Sequence, residues 1–88
     1  LRYTVVWLPD AEQELARIWN DATNRSVISE AANFLDRELA RDPTNLGESR
    51  PSGIRIAHWL PLGIRFTVSE DDRLVQVLAV WQCRRSDK

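Results

Sequence analysis

Few residues in this 88-residue chain can do covalent chemistry, and each stands alone: one cysteine, Cys83, and one histidine, His58. A single thiol cannot close an internal disulfide. One thiol and one imidazole would leave a zinc ion to find most of its ligands among carboxylates. No metal and no cofactor are therefore expected, and a lone cysteine suits a reducing, cytoplasmic setting. Arginine is the more productive residue type. Eleven of the twelve basic residues are Arg, the side chain that grips a phosphate through paired hydrogen bonds. A GC-rich genome gives the same bias, and that is the simpler reading.

The formal charge is −1, but it is unevenly spread. Residues 1–44 carry five Arg against eight Asp and Glu, whereas residues 45–88 carry six Arg and Lys88 against five acids. This tilt falls short of the basic excess of a typical nucleic-acid binder. A chain of this length forms one domain, residues 1–88, with 43% hydrophobic and 28% charged residues, as in folded soluble domains. No apolar run approaches the roughly 18 residues of a membrane span. Leu1–Leu8 carries one charge and is expected to be part of the domain, not a secretory leader.

The elements that must position these residues follow from pattern. Tyr3–Leu8 is β-branched and aromatic on both faces, which predicts a strand inside the sheet. Pro9-Asp10 opens a helix, with Asp10 and Glu12 at the positive end of its dipole and Asp10/Gln13 as a possible capping-box pair. Its stripe is Ala11, Leu15, Ile18, Trp19 and Ala22. A second helix starts near Asn24–Ser26, buries Ile28, Ala31, Ala32, Leu35 and Leu39, and stops at Asp42-Pro43. The short link makes the two an antiparallel hairpin. Residues 43–53 hold two Pro and two Gly, which predicts an irregular loop. Three strands follow: Ile54–Leu60, Ile64–Ser69 and Leu74–Gln82. Pro61-Leu62-Gly63 is expected to turn, with Gly63 at positive φ. Leu74–Gln82 is apolar on both faces (Val75, Val77, Ala79 and Trp81 on one, Leu74, Leu78 and Val80 on the other), marking a central strand.

The expected class is α+β, in the order β-α-α-β-β-β. The helix hairpin packs on one face of a small, mainly antiparallel sheet, since neither layer can bury its apolar side alone. The other face is where Arg55, Arg65, Thr67 and His58 can meet.

The opening Tyr-Thr-Val-Val-Trp-Leu-Pro-Asp-Ala-Glu-Gln-Glu-Leu, the hairpin Gly63-Ile64-Arg65-Phe66-Thr67-Val68 with its acidic turn Glu70-Asp71-Asp72, and the closing strand Val75–Trp81 leading into Arg84-Arg85 together resemble a RelE/ParE toxin. These are the toxins of bacterial type II toxin–antitoxin, or plasmid-stabilisation, modules. The resemblance spans nearly the whole chain. It implies a RelE-like fold and a partner, an antitoxin that folds around the toxin in a hetero-oligomer. RelE-like members are ribosome-dependent mRNA endonucleases (mRNA interferases), whereas ParE-like members inhibit DNA gyrase without catalysis.

Metal-free RNA cleavage needs a base for the 2′-hydroxyl proton, cations for the phosphorane charge and an acid for the 5′-oxygen. Arg65 matches the family's Arg in the Gly-x-Arg segment, and Arg84 and Arg85 match its paired Arg after the last strand. The plain alternatives are a strand arginine bonded to a neighbouring carboxylate and a solvated basic tail. Arg55 is expected on the outward face as a further phosphate or partner contact. The family often has His at Gln82, and Gln transfers no proton, so Gln82 is kept as a contact residue only. Tyr3 is expected in the core. Proton transfer is left to His58 and Glu48, each of which also reads as an ordinary surface residue. Trp59 is expected outward, free to stack a base or meet a partner, while Trp7, Trp19 and Trp81 read as core. The competing expectations are an mRNA endonuclease, a gyrase-binding toxin and a degenerate member that keeps only its antitoxin groove.

Overall fold

The computed structural model describes residues 2–83. Strand β1 (Thr4–Trp7) leads into helix α1 (Pro9–Asp21) and helix α2 (Arg25–Arg41). A single 3-10 turn, Pro43–Asn45, then precedes strands β2 (Glu48–Ser49), β3 (Arg55–Trp59), β4 (Leu62–Ser69) and β5 (Leu74–Gln82). The strands form one sheet in the order β1-β5-β4-β3-β2. β1 runs parallel to β5, and every other pair is antiparallel. The helices lie on one face. This is the α+β, two-helices-on-a-sheet architecture that the patterning predicts, with one more strand.

Helix α1 starts on Pro9, whose missing N–H costs nothing in a first turn, with Asp10 and Glu12 beside the helix N-terminus. No side chain caps it, so the Asp10/Gln13 box does not form. Helix α2 is capped by Asn24, whose side chain accepts from the Val27 N–H at 3.4 Å. From the helices, Ala11, Ile18, Ile28, Ala31, Leu35 and Leu39 meet Ala57, Leu62, Ile64, Phe66, Val75, Val77 and Val80 of the sheet. Leu35, Leu39, Ile64, Phe66, Val75 and Val77 are fully buried.

Four expectations need correction. β1 is an edge strand, paired with β5 alone. Its second apolar face is in solvent, with Val6 40% exposed. The loop after α2 is not wholly irregular: Glu48 pairs with Ile56 and Ser49 with Arg55. Gly47 makes this possible, because at φ +71° it lies against β3 so closely that a Cβ would sit 2.1 Å from the Ile56 carbonyl oxygen. The third correction is the turn, which falls at Leu60-Pro61, with Leu62 and Gly63 already inside β4.

The fourth concerns the alternation of β5. Between Arg65 and Phe66 the β4–β5 register slips, so that Arg65 faces Ala79 while Phe66 faces Val77. Leu78 is the extra residue of a β-bulge. Val77 and Val80 both point at the helices as a result, and Ala79 and Trp81 turn to the opposite face from Val75 and Val77.

Candidate functional site

Cross-strand partners share a face, so the registers define what the helices leave bare. Glu48, Ile56, Arg65 and Ala79 form one row across β2, β3, β4 and β5. His58, Gly63 and Trp81 form the next row across β3, β4 and β5. His58 is a diagonal neighbour of both Glu48 and Arg65, about 7–8 Å away at Cα. Glu48 and Arg65 lie two strand spacings apart, about 10 Å. From positions at these separations, side chains of these lengths can reach a common group the size of a phosphate. Glu48, His58 and Arg65 are all exposed.

Among the described residues, no carboxylate pairs with Arg65. Glu48 holds Arg50, whose Nη1 donates to its Oε1 at 3.0 Å. Arg50 thus brings a second guanidinium to the sheet's β2 end.

Three predicted residues face elsewhere. Arg55 pairs with the core residue Phe66 and points to the helix side. Its guanidinium donates to the carbonyls of Leu46 and Gly47, each at 3.1 Å. It ties the loop to β3, and the outward expectation was a parity error: positions 55 and 58 of one strand cannot share a face. Trp59 also lies on the helix side, 48% exposed and stacked on Phe34 of α2 with ring centroids 3.7 Å apart. Gln82 pairs with buried Leu62 and sits exposed at the end of β5, away from the bare face. Arg84 and Arg85 lie outside the described residues.

Of the other tryptophans, Trp7 is half-buried and packs against the core, as expected, whereas Trp19 is 39% exposed. Trp7 and Trp19 line an open groove of about 650 Å³ between α1 and α2, floored by Leu15, Ile28 and Ala32. Their indole N–H groups donate to Asp36 Oδ1 at 3.1 Å and Ser29 Oγ at 3.0 Å. Trp81 is on the bare face, where its indole crosses Gly63: a Cβ at position 63 would meet Nε1 at 2.5 Å and Cε2 at 2.6 Å. The indole also stands nearly at right angles to the imidazole of His58, with ring centroids 6.0 Å apart and planes at 76°. Trp81 and Gly63 were not legible as site residues because the bulge at Leu78 hid the face on which Trp81 lies. Arg50 was hidden inside a presumed loop.

Among the described residues no cluster of three or more His, Cys, Asp or Glu could hold a metal ion. No described helix is long and apolar enough to cross a membrane.

No protein-family model matches the chain, and no curated protein matches it in sequence. Solved structures do match in fold. A chain of the RelBE2 toxin–antitoxin complex of Mycobacterium tuberculosis superposes with a TM-score of 0.77 at 20% identity, covering 99% of this chain and 95% of that one. A chain of the chromosomal ParDE toxin–antitoxin system of P. aeruginosa gives 0.72 at 15% identity, over 93% and 97% of the two chains. The isolated E. coli RelE toxin gives 0.62 at 18%, over 97% and 88%. The chain has the RelE/ParE toxin fold.

Proposed function

We propose that this protein is the toxin of a type II toxin–antitoxin module and that it acts on RNA through the bare face of its sheet. The observation that supports the reading is the placement of Glu48, His58 and Arg65 in two adjacent rows of one exposed face, a spacing from which the three side chains can address one phosphate. The fold supports the toxin assignment, and the complexes in which its structural neighbours occur support an antitoxin as partner.

The chemistry assigned is cleavage by the neighbouring 2′-hydroxyl. Arg65 binds the non-bridging phosphate oxygens and stabilises the charge that builds on the phosphorane. Glu48, an acceptor held beside Arg50, takes the 2′-hydroxyl proton. His58 donates a proton to the departing 5′-oxygen. The bond from phosphorus to the 5′-oxygen breaks as the bond to the 2′-oxygen forms, leaving a cyclic phosphate and a free 5′-hydroxyl. The same three residues explain how a chain with Gln82 in place of the family's histidine retains groups for proton transfer.

The test is induced expression in a bacterial host with parallel incorporation of labelled amino acid and labelled thymidine. The reading expects protein synthesis to stop first and mRNA to be cut. Arrest of thymidine incorporation with translation intact would overturn it in favour of a gyrase-binding toxin.

A further inference from the structure

We infer that Trp81, with Gly63 beneath it and His58 beside it, is a seat for one unpaired RNA base on the bare face. The inference rests on the RNA reading above and goes beyond it by naming where a base, as distinct from a phosphate, is held.

Three features carry it. The first is the floor. Trp81 is half-buried on the bare face, and its indole is laid across β4 because Gly63 has no side chain: a Cβ there would overlap Nε1, Cε2 and Cζ2 at 2.5–2.8 Å. Glycine inside a strand often marks such a close approach. The second is the wall. The imidazole of His58, an exposed residue, stands at 76° to the indole with its centroid 6.0 Å away, so the two rings make a corner. A planar heterocycle laid on the floor meets the imidazole at its edge. The third is the anchor. Arg65 is two residues along β4 from Gly63, on the same face and about 6.6 Å further along the strand. That is about the reach from a stacked base to its own phosphate. A flat aromatic surface beside an exposed guanidinium suits a single-stranded nucleotide: the base stacks without hydrogen-bond readout and the phosphate takes the charge.

The four indole N–H resonances of the 88-residue chain provide the readout, with Trp81 assigned from the Trp81→Phe spectrum. The chain is titrated with hexa-adenylate and with an abasic ribose-phosphate hexamer of equal charge. The inference expects the Trp81 resonance to move with hexa-adenylate and to stay with the abasic strand. Trp81→Ala is expected to weaken hexa-adenylate binding about 5- to 150-fold, the range for loss of one stacked base. Trp81→Phe should keep most of the affinity. Arg65→Ala should weaken both ligands alike. Hexa-adenylate binding that leaves the Trp81 resonance still, with Trp81→Ala binding as wild type, overturns the seat while leaving the RNA reading intact. Absence of binding to either strand overturns both.

Discussion

The indole of Trp81 lies over Gly63 so closely that position 63 admits no larger residue while the indole stays in place. Gly63→Ala should therefore cost about 1–3 kcal/mol, the usual cost of overpacking. The loss should appear as a drop of about 4–8 °C in Tm per kcal/mol for a domain of this size. Made in a Trp81→Ala background, the same substitution should cost little, because the atoms it strikes are gone. Thermal melts of the four proteins of this cycle measure the coupling, and equal losses in both backgrounds would show that the contact does not govern position 63.

Val77 pairs with β1 through Trp7 and with β4 through Phe66, and it is fully buried. Val77→Asp places a charge with no partner at the centre of the sheet, where the loss of about 3–5 kcal/mol approaches the whole stability of a small domain. The variant should lack a cooperative melt. A soluble variant melting near the wild-type temperature would contradict the central position of β5.

The short β2 depends on Gly47, at φ +71° and against the Ile56 carbonyl. Gly47→Ala should detach this strand and leave the core in place, since none of the core residues belongs to it. Hydrogen exchange should report it: the Arg50 amide, which donates to the Ile54 carbonyl at 2.7 Å, should lose protection. Amides of β5 should keep theirs.

Trp59 is held by Phe34, at a centroid separation of 3.7 Å. Phe34→Ala should lose about 0.5–1.5 kcal/mol beyond the area no longer buried and release the Trp59 ring. The difference in emission between this variant and one also carrying Trp59→Phe isolates that ring, which should shift to the red. An unshifted spectrum would mean that the stack does not hold Trp59.

How much of this was legible in the residues follows from parity and its interruptions. The helix hairpin was legible from its apolar stripes, from Pro9 at one end and from Asp42-Pro43 at the other. Arg65 was legible on the bare face because alternation of Ile64, Phe66 and Val68 with Arg65 and Thr67 is uninterrupted. Arg55 and Trp59 were misplaced by ignoring the same rule within one strand. Trp81 was misread for a deeper reason: the extra residue at Leu78 reverses the alternation of β5, and nothing local in an all-apolar run signals a bulge. β2 was missed because two residues cannot display a period. Gly47 and the Pro51–Gly53 turn read as loop signals although they close a hairpin.

The central claim is that the bare face, through Arg65, is what the protein acts with. Growth arrest on induced expression of wild type and Arg65→Ala, paired with a melt of each purified protein, tests it most directly. Arg65 is exposed and its cross-strand partners, Ile56 and Ala79, are not core residues, so the variant should fold with an unchanged Tm and lose the arrest. Arrest undiminished in a normally expressed, normally melting Arg65→Ala protein would contradict the account.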